Sequence, residues 1–469
     1  MSPRDLQTRD LLLFVDRSRP GSLSRQLEEQ MRNAIQSKAF AAGAQLPSTR
    51  VLAQDLGVSR GVIVRAYRQL AAEGYLALRQ GSAVTVRATV RVDPKTARPP
   101  NDGQRVVYDL RPHLPEITGF PRQPWLRAVR ESLERARSAD LTYNDPAGLW
   151  DLRVEVANYL SRARGVLAQP ERTLITGGST HALSLASRVL ARRGQTRMAF
   201  ENPSHALLRH VAAAGGQTVV EAEVDEQGVR PDSIRSAESV FVTPAHQFPT
   251  GVVLSPERRL ALIAWARDAD ALIFEDDYDA EFRYDRAPVG ALQGLAPDRV
   301  VYIGSTGKTF APALRLGWAV LPAGLFDDVS GELFSSLLQI SGFSQLAFAS
   351  FLRRGDFDRH LRRMRQVYRA RRDLVISLLG ELLPDHGVSG IAAGLHVILE
   401  LPSHAAASAV RMEAETVGIV VESLEQHSFA QYAGPAGLLI GYGGLSEPSL
   451  EQAVRRLAKV IRASLDVSV

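Results

Sequence analysis

The sequence predicts an α/β protein with a small helical head and a large body built around a mainly parallel β-sheet. Three observations lead to this fold class: a length of 469 residues, a basic first segment, and helical patterns that alternate with short apolar runs after residue 109. A chain of this length exceeds one average domain, so two or more hydrophobic cores are expected. The composition, with 45% hydrophobic and 23% charged residues, is that of an ordinary globular protein.

The composition also excludes several classes of protein. The chain has no cysteine, which rules out disulfides, thiolate catalysis and cysteine-ligated zinc. No apolar run approaches the roughly 18 residues that span a membrane, and the first segment lacks the pattern of a signal peptide. We therefore expect a cytoplasmic protein.

The net charge of +5 is unevenly distributed along the chain. Residues 1–90 hold 13 Lys and Arg against 7 Asp and Glu, a net of +6, so the remainder carries −1. A basic head on a near-neutral body indicates that a polyanion binds at the head. The same charge is also compatible with an ordinary basic surface.

The chain separates into three predicted segments. Residues 1–87 are basic and mostly helical by pattern. Residues 88–108 contain three prolines, few large apolar residues and no periodicity, which predicts a linker. Residues 109–469 form the body.

Short β-rich runs alternate with helical patterns from Asp109 onward. In chain order these runs are RTLITGG, TRMAFEN, SVFVTPA, ALIFEDDY, RVVYIGS and RLGWAVL. The alternation predicts a mainly parallel sheet with helices on both faces. Residues 340–380 predict long helices, and the end of the chain predicts a smaller α/β lobe with GLHVILEL and GLLIGYG as strands.

The head has the pattern of a helix-turn-helix. Apolar residues at helical spacing predict a first helix over Ser24–Phe40. A second helix, capped by Ser48 or Thr49, precedes a tight turn at Gly57, and Ser59 caps a third helix. The core predicted for this unit consists of Leu52, Ala53, Leu56, Val62, Val64 and Leu70.

The start of the third helix is where such folds reach base edges in the major groove. Ser59, Arg60 and Gly61 lie there, and Arg60 can donate two hydrogen bonds to a guanine. The remaining candidate DNA contacts of the helices are Ser48, Arg50, Arg65 and Arg68, of which the three arginines are placed for phosphates. A small helical protein-interaction domain would show the same bare spacing.

A hairpin follows the third helix. Strands predicted over Tyr75–Leu78 and Ala83–Arg87 would form a wing, with Arg79 and Gly81 at its tip as further DNA contacts. LPSTRVLAQDLGVSR, AYRQLAAEGYL and the R-x-G wing tip together resemble the GntR family of winged helix-turn-helix regulators over about 65 residues. The resemblance implies binding to a double-stranded DNA operator. Ala83 departs from the family, which usually has a glycine and then a threonine at 82–83.

Two motifs of the body place polar residues directly after a predicted strand. In YIGSTGKTFAPALRLGW, the amine of Lys308 can form an imine with an aldehyde while Ser305 and Arg315 bind a phosphate. In LIFEDDYDAEFRY, Asp276 can keep a pyridine nitrogen protonated and Tyr278 can donate to a phenolic oxygen. Such lysines are usually solvated, and the acids could equally form a solvated loop or a magnesium site.

A third motif, LITGGSTHALSL, turns from a strand through Gly177 and Gly178 into a helix that begins near Ser179. The free N–H groups and the dipole of a helix start attract anions. An ordinary strand–turn–helix connection has the same pattern.

Together the three motifs resemble, in order and spacing, the fold-type I pyridoxal-phosphate (PLP) enzymes of the aspartate aminotransferase class over roughly residues 109–469. The resemblance implies that Lys308 forms an imine with PLP, that Asp276 pairs with the pyridine nitrogen and that Tyr278 bonds the phenolic oxygen. It assigns the phosphate to Ser179, Thr180, Ser305 and Arg315.

Two further positions follow from the same resemblance. His205, in ENPSH, lies where the family places an aromatic ring stacked on the cofactor. Tyr143, in YNDPAGLWDLR, matches the tyrosine that reaches the phosphate of the neighbouring subunit, which implies a homodimer with shared pockets. A winged helix fused to such a body is the architecture of the MocR subfamily of GntR regulators, and TPAHQFPTG is typical of that subfamily.

One position departs from the aminotransferases. They bind the substrate α-carboxylate with an arginine in a strand of the C-terminal lobe, and Leu439 occupies that position here. Losing a bidentate arginine should weaken the binding of a buried carboxylate by several kcal/mol. Ordinary α-amino acids are therefore expected to be poor ligands, unless another arginine takes over this role.

These observations leave three functions open. The first is a PLP-dependent transcriptional regulator whose effector is PLP or an amine without the carboxylate, with vitamin B6 synthesis genes, or else amine or amino-sulfonate catabolism genes, as targets. The second is an active aminotransferase with an accessory DNA-binding head. The third is a regulator whose body is a dimerisation scaffold without cofactor.

Overall fold

The computed structural model describes residues 13–18, 21–37, 39–78, 83–87, 107–285, 289–336, 339–390, 392–429, 432 and 434–466. The chain divides into two compact units, Met1–Gly103 and Gln104–Val469. All but the last two residues of the predicted linker, and the predicted wing-tip residues Arg79 and Gly81, lie outside the described residues. None of the described helices has the length and apolar character needed to cross a membrane.

The first unit contains three helices and a small antiparallel sheet. Its elements are α1 (Leu23–Gln36), β1 (Gln45–Leu46), α2 (Thr49–Asp55), α3 (Arg60–Ala72), β2 (Leu76–Ala77) and β3 (Val84–Val86). Strand β3 lies between β1 and β2, so the predicted wing hairpin is present and gains a third strand. Helix α1 ends four residues earlier than the pattern predicts.

The core of this unit differs in part from the predicted one. Leu52, Ala53 and Leu70 are buried as predicted. Val64 was wrongly placed in the core, because it is only half-buried and lines a surface groove along α3. The face of α3 that is buried instead carries Ile63, Ala66, Tyr67 and Leu70, at the i, i+3, i+4, i+7 spacing of a helix.

The second unit follows the predicted alternation of strands and helices. Its first half consists of β4 (Tyr108–Asp109), α4 (Arg122–Arg135), α5 (Trp150–Arg164), β5 (Thr173–Thr176), α6 (Ser179–Arg192), β6 (Arg197–Asn202), α7 (Ala206–Ala214), β7 (Thr218–Asp225), β8 (Gly228–Val229), β9 (Ser239–Val242), α8 (Pro256–Asp268) and β10 (Leu272–Asp277). Its second half consists of β11 (Val300–Ser305), α9 (Thr306–Thr309), β12 (Gly317–Val320), α10 (Ala323–Ser335), α11 (Gly342–Arg353), α12 (Asp356–Leu382), β13 (Val388–Ser389), β14 (His396–Glu400), α13 (His404–Thr416), β15 (Ile419–Val420), β16 (Glu422–Ser423), β17 (Gly437–Gly441) and α14 (Glu447–Asp466).

An eight-stranded mixed sheet forms the centre of the body, in the order β5-β12-β11-β10-β9-β6-β7-β8. The central pairs from β11 to β7 are parallel, whereas β12 runs antiparallel to both of its neighbours. The six predicted runs form β5, β6, β9, β10, β11 and β12. Helices cover both faces: α6, α7 and α10 pack on one, and α8 packs on the other.

The C-terminal lobe contains a four-stranded antiparallel sheet in the order β13-β14-β17-β16. The predicted strands of this lobe are β14 and β17, which pair directly. The long helix α12 and the C-terminal helices α13 and α14 complete the lobe and share one hydrophobic core with it.

Candidate functional site

The predicted DNA contacts of the head that the structure describes lie on the starts of α2 and α3 and on the exposed side of α3. Ser48, Arg50, Ser59, Arg60, Gly61, Arg65 and Arg68 are all exposed. Ser48 is the N-cap of α2 and accepts a hydrogen bond from the amide of Val51. Ser59 is the N-cap of α3, but its side chain makes no capping hydrogen bond and so remains available to a ligand. The arrangement suits a helix that enters a groove with its N-terminal end.

Two contacts fix the orientation of α3 within the head. The buried hydroxyl of Tyr67 donates to the carbonyl of Pro47, 2.9 Å away, and so ties the middle of α3 to the segment before α2. The guanidinium of Arg60 donates to Thr49 Oγ1 at 3.2 Å. A groove lined by Gly61, Val64, Arg65, Arg68, Gln69 and Ala72 runs along the exposed side.

A cavity of about 300 Å³ opens at the carboxyl ends of the central strands of the body. Clefts at this edge are the usual ligand sites of open α/β sheets. Eight of the nine predicted cofactor contacts line it: Ser179, Thr180, His205, Asp276, Tyr278, Ser305, Lys308 and Arg315. The ninth, Tyr143, is 98% exposed and does not line this cavity.

The N-terminus of α6 forms one end of the cavity. Gly178 is the N-cap of α6 with a φ of 102°, and it lies directly against Gly317 of β12. A Cβ on Gly317 would stand 2.6 Å from the Cα of Gly178, so this close packing requires glycine at 317, whereas the positive φ favours glycine at 178. The helix start, with the hydroxyls of Thr180 and Ser305 beside it, is suited to an anion.

Arg315 lines the same end of the cavity in a left-handed conformation, with a φ of 49°. A residue with a side chain pays roughly 1 kcal/mol for this conformation relative to its preferred one. Such a conformation at a cavity wall is the kind of local cost found at ligand sites. It places the one cavity-lining arginine of the described residues beside the start of α6.

Lys308 and Asp276 have the properties of a reactive amine and a buried acid. The Lys308 Nζ donates to the carbonyl of His113 at 2.7 Å, and burial lowers the pKa of this amine to about 8. Burial also raises the pKa of Asp276 to about 7, although a hydrogen bond of 2.6 Å from the Ser179 hydroxyl opposes the increase. Ser179 therefore contacts Asp276 with its side chain and contributes its backbone N–H to the anion-binding helix start.

Three acids in a row end strand β10, and only Asp276 faces the cavity. Glu275 accepts the backbone N–H groups of Leu292 and Gln293. Asp277 forms a fully buried ion pair with Arg164 at 2.7 Å and accepts the hydroxyl of Tyr302 at 2.6 Å. Since side chains alternate along a strand, these two acids lie on the face opposite Asp276.

Tyr278 belongs to a buried polar triad that sequence reasoning missed. Its hydroxyl lies 3.0 Å from His246 Nδ1, and the same nitrogen lies 2.9 Å from Asp279 Oδ2. His246 stands in TPAHQFPTG, so the motif was noticed but not this contact. Glu201 was missed as well: it lines the cavity, accepts from Thr243 and has a pKa raised to about 7 by burial.

His205 stacks on Phe248 in the cavity wall, with ring centroids 5.4 Å apart and an interplanar angle of 29°. Burial lowers the pKa of this imidazole to about 4, so it is neutral at physiological pH. A neutral ring at this position can lie against a planar aromatic ligand.

Comparisons with known proteins agree with this two-part architecture. The model of the bacterial regulatory proteins of the gntR family matches residues 23–86, and that of aminotransferase class I and II matches residues 117–457. The "HTH-type pyridoxine biosynthesis transcriptional regulator PdxR" of Corynebacterium glutamicum is 31% identical over 96% of this chain and 99% of its own length. The "Probable rhizopine catabolism regulatory protein MocR" of Rhizobium meliloti is 30% identical over 96% of each protein.

The chain belongs to the MocR/PdxR-type regulators of the GntR family. It is therefore a DNA-binding transcriptional regulator with an aminotransferase-like body. Among solved structures, an archaeal alanine:glyoxylate aminotransferase is similar over 76% of this chain and 91% of its own, with a TM-score of 0.70 and 25% identity. That likeness covers the body.

The family and the donor set of the cavity identify the cofactor as PLP. A buried amine, a buried carboxylate and a helix start with two hydroxyls and one arginine would suit the aldehyde, the pyridine nitrogen and the phosphate of that molecule.

Leu439 of the C-terminal lobe lies behind the cavity wall. It is fully buried in a small cluster with Phe248, Ile398 and Leu424, against which Tyr278 packs. Both Phe248 and Tyr278 line the cavity, so the leucine belongs to the apolar layer directly behind it.

Proposed function

We propose that the protein regulates transcription in response to PLP, or to an amine that reacts with PLP, bound in the cavity of the body. The observation that carries this proposal is a cavity that combines Lys308 and Asp276 with a leucine at position 439. The site is equipped to hold the cofactor, but it lacks the group that would bind the α-carboxylate of an amino acid. This combination favours sensing over amino-acid turnover.

We assign the cofactor contacts as follows. Lys308 would hold the aldehyde carbon, Asp276 the pyridine nitrogen and Tyr278 the phenolic oxygen, while the ring of His205 would stack on the pyridine. The phosphate would be bound by Ser179, Thr180, Ser305 and Arg315. PLP supplies an aldehyde that captures amines and an electron-poor ring. Asp276 would keep the pyridine nitrogen of that ring protonated, and the cavity would shield the ring from water.

We also propose that the working unit is a cytoplasmic homodimer. Support comes from Tyr143, which is 98% exposed although it is a large aromatic side chain in an otherwise well-packed body. A second chain that accepted this tyrosine beside its own phosphate site would explain the exposure. Residues 88–108 would then connect the two heads to the two bodies, so that a change in the body alters how the heads are placed on DNA.

The proposed targets are genes of vitamin B6 synthesis. The regulator PdxR, whose printed name refers to pyridoxine biosynthesis, supports this choice together with Leu439. Genes of amine or amino-sulfonate catabolism are the second candidate, because an amine without a carboxylate would also suit the cavity.

Footprinting of the full-length protein tests the proposal. DNA upstream of the chain's own gene should be protected, and PLP should change the extent or the affinity of protection for the wild type but not for Lys308→Ala. Lys459→Ala, which removes an exposed lysine of α14, is the matched control and should respond as the wild type does. Identical protection with and without PLP would contradict the proposal.

A second candidate function, transamination, is favoured by the presence of both Lys308 and Asp276. An enzyme of ordinary efficiency would turn over at about 10 per second. We expect rates far below this with common α-amino acids, measured as conversion of bound PLP to its amine form.

A further inference from the structure

The layer behind the cavity wall carries a negative charge at the position of the missing arginine, since Glu422 is not itself among the residues that line the cavity. Strands β16 and β17 pair so that Glu422 lies directly opposite Leu439. Residues paired in this way in an antiparallel sheet project from the same face, with Cβ atoms about 5 Å apart. The carboxylate of Glu422 therefore stands beside the position where an aminotransferase would have its guanidinium.

Two histidines lie beside the carboxylate of Glu422. His427 Nε2 lies 3.0 Å and His113 Nδ1 lies 3.9 Å from its carboxylate oxygens. Burial opposes ionisation, but the hydrogen bond with His427 keeps the pKa of Glu422 below its usual value. The position thus differs from an aminotransferase in the sign of its charge, as well as in the loss of an arginine.

This carboxylate is within electrostatic reach of the reactive amine. His113 joins the two groups, because its backbone carbonyl accepts from Lys308 Nζ at 2.7 Å while its imidazole faces Glu422. The negative charge of Glu422 is also one of the influences that raise the pKa of Lys308, against the larger effect of burial. A ligand whose first amine lies at Lys308 would therefore have Glu422 within range of its far end.

Two arginines of this region, Arg111 and Arg209, are already engaged. Arg111 binds both carboxylate oxygens of Asp109, with its Nε at 2.9 and 3.1 Å. Arg209 donates to the backbone carbonyls of His427 and Ser428 and stacks on Phe429. Neither lines the cavity. Among the described residues, Arg315 is the arginine that lines the cavity, so no arginine there substitutes for the missing one.

The nitrogen acceptors around Glu422 fit the same type of ligand. His427 is nine-tenths buried, and its Nδ1 has no hydrogen-bond partner among the described residues. The Nδ1 of His205, whose ring contacts that of His427 with centroids 6.0 Å apart, also has none. With Nε2 of His427 donating to Glu422, its Nδ1 is an acceptor that a ligand N–H could satisfy.

We propose that the effector is a short aliphatic diamine: one amino group would replace the Lys308 amine on the aldehyde carbon of PLP, which releases that lysine as a free amine, and the second, as an ammonium, would lie at Glu422. The proposal rests on the proposed function, since it presupposes PLP in the cavity, and it names the ligand class of that site. A diamine has no carboxylate to require the missing arginine. Its second ammonium offers three donors and a positive charge to the carboxylate of Glu422 and the imidazole nitrogens beside it.

Isothermal titration calorimetry of the full-length, PLP-loaded protein tests the assignment. The probes are putrescine, n-butylamine, which lacks only the second amino group, and L-alanine. We expect putrescine to bind ten to a hundred times more tightly than n-butylamine, as one charge-assisted hydrogen-bonded contact is worth about that much. L-Alanine should bind more weakly than either.

Two variants locate the selectivity. Glu422→Gln should reduce the preference for putrescine over n-butylamine to less than threefold, whereas Glu425→Gln, at an exposed acid three residues away, should leave it unchanged. Leu439→Arg should reverse the order, weakening putrescine and strengthening L-alanine. Melting temperatures of all variants, taken with PLP bound, show whether each remains folded.

The outcomes separate this inference from the proposed function. Equal affinity for putrescine and n-butylamine, or an unchanged preference in Glu422→Gln, overturns the diamine assignment while leaving PLP-dependent regulation intact. Failure to bind PLP at all, or DNA binding indifferent to PLP, would overturn the proposed function itself. A shift of the DNA affinity by putrescine, measured by fluorescence anisotropy, and not by n-butylamine would support both.

Discussion

The head and the body use basic side chains in opposite surroundings. On α3 the arginines are exposed and keep their charge in water, where they meet a partner that also stays hydrated. In the body Lys308 is buried, and burial lowers the pKa of its amine to about 8. An exposed cation serves as a point of attraction, whereas a desolvated amine becomes a nucleophile at physiological pH. The two sites differ in how far the cation is exposed to water, and the residue type alone does not reveal this exposure.

The largest expected effect is at the buried lysine. Lys308→Ala should abolish covalent attachment of PLP, because no other described lysine lines the cavity. Borohydride reduction followed by mass spectrometry measures attachment: the wild type and Lys459→Ala should carry the cofactor on a peptide that contains residue 308. Attachment at another lysine would show that Lys308 is not the amine that reacts with PLP.

A smaller effect is expected at the buried acid. Asp276→Asn should weaken PLP binding about 10- to 100-fold, because a charge-assisted hydrogen bond to the pyridine nitrogen becomes a neutral one. Equilibrium titration with PLP at constant pH checks this loss. Asp268→Asn, at an exposed acid of α8, should bind PLP as the wild type does.

The same variant tests whether burial governs the pKa of Asp276. Its pKa is raised from 3.8 to about 7, so the folded protein holds this proton more tightly than the unfolded chain. The resulting stability is present below about pH 4 and is lost as the pH rises through 7. Without PLP, the melting temperature of Asp276→Asn relative to wild type should therefore increase from pH 5 to pH 8. A constant difference would contradict this explanation.

The smallest effects are expected on the exposed surface of the head. Arg60→Ala should cost about 1–3 kcal/mol of operator binding, because a guanine contact is lost, and should relax the sequence preference. Arg68→Ala should weaken binding to all sequences alike and lower the salt dependence by about one unit of slope. Fluorescence anisotropy over a range of KCl concentrations measures both, with Arg267→Ala of the body as the control.

The sequence was most informative where local pattern and structure coincide. Six short apolar runs became six strands of the central sheet, since a buried strand needs little more than a run of β-branched and aromatic residues. Strand β7 was missed because Glu221, Glu223 and Asp225 interrupt its apolar pattern. Val64 was misplaced because neighbouring valines on a helix cannot be assigned to a face without the neighbouring helices.

The contacts within the cavity could not be predicted from the sequence. Its polar contacts join residues far apart in the chain: Ser179 with Asp276, and Lys308 with His113. The chemical role of Lys308 could be inferred from its motif, but its acceptor could not. Glu422 was missed entirely, because its relation to Leu439 exists only through the pairing of two strands.

The order of the acids along strand β10 determines how a deletion would alter the site. Three acids follow one another there, and the pleat turns the middle one to the cavity and the outer two to Arg164 and to backbone amides. A deletion of one residue earlier in this strand would shift the acids by one position, so that Asp277 would face the cavity and Asp276 would take the place of Glu275 beside the backbone amides. The alternation of side chains along the strand therefore decides which one of three adjacent carboxylates faces the cavity.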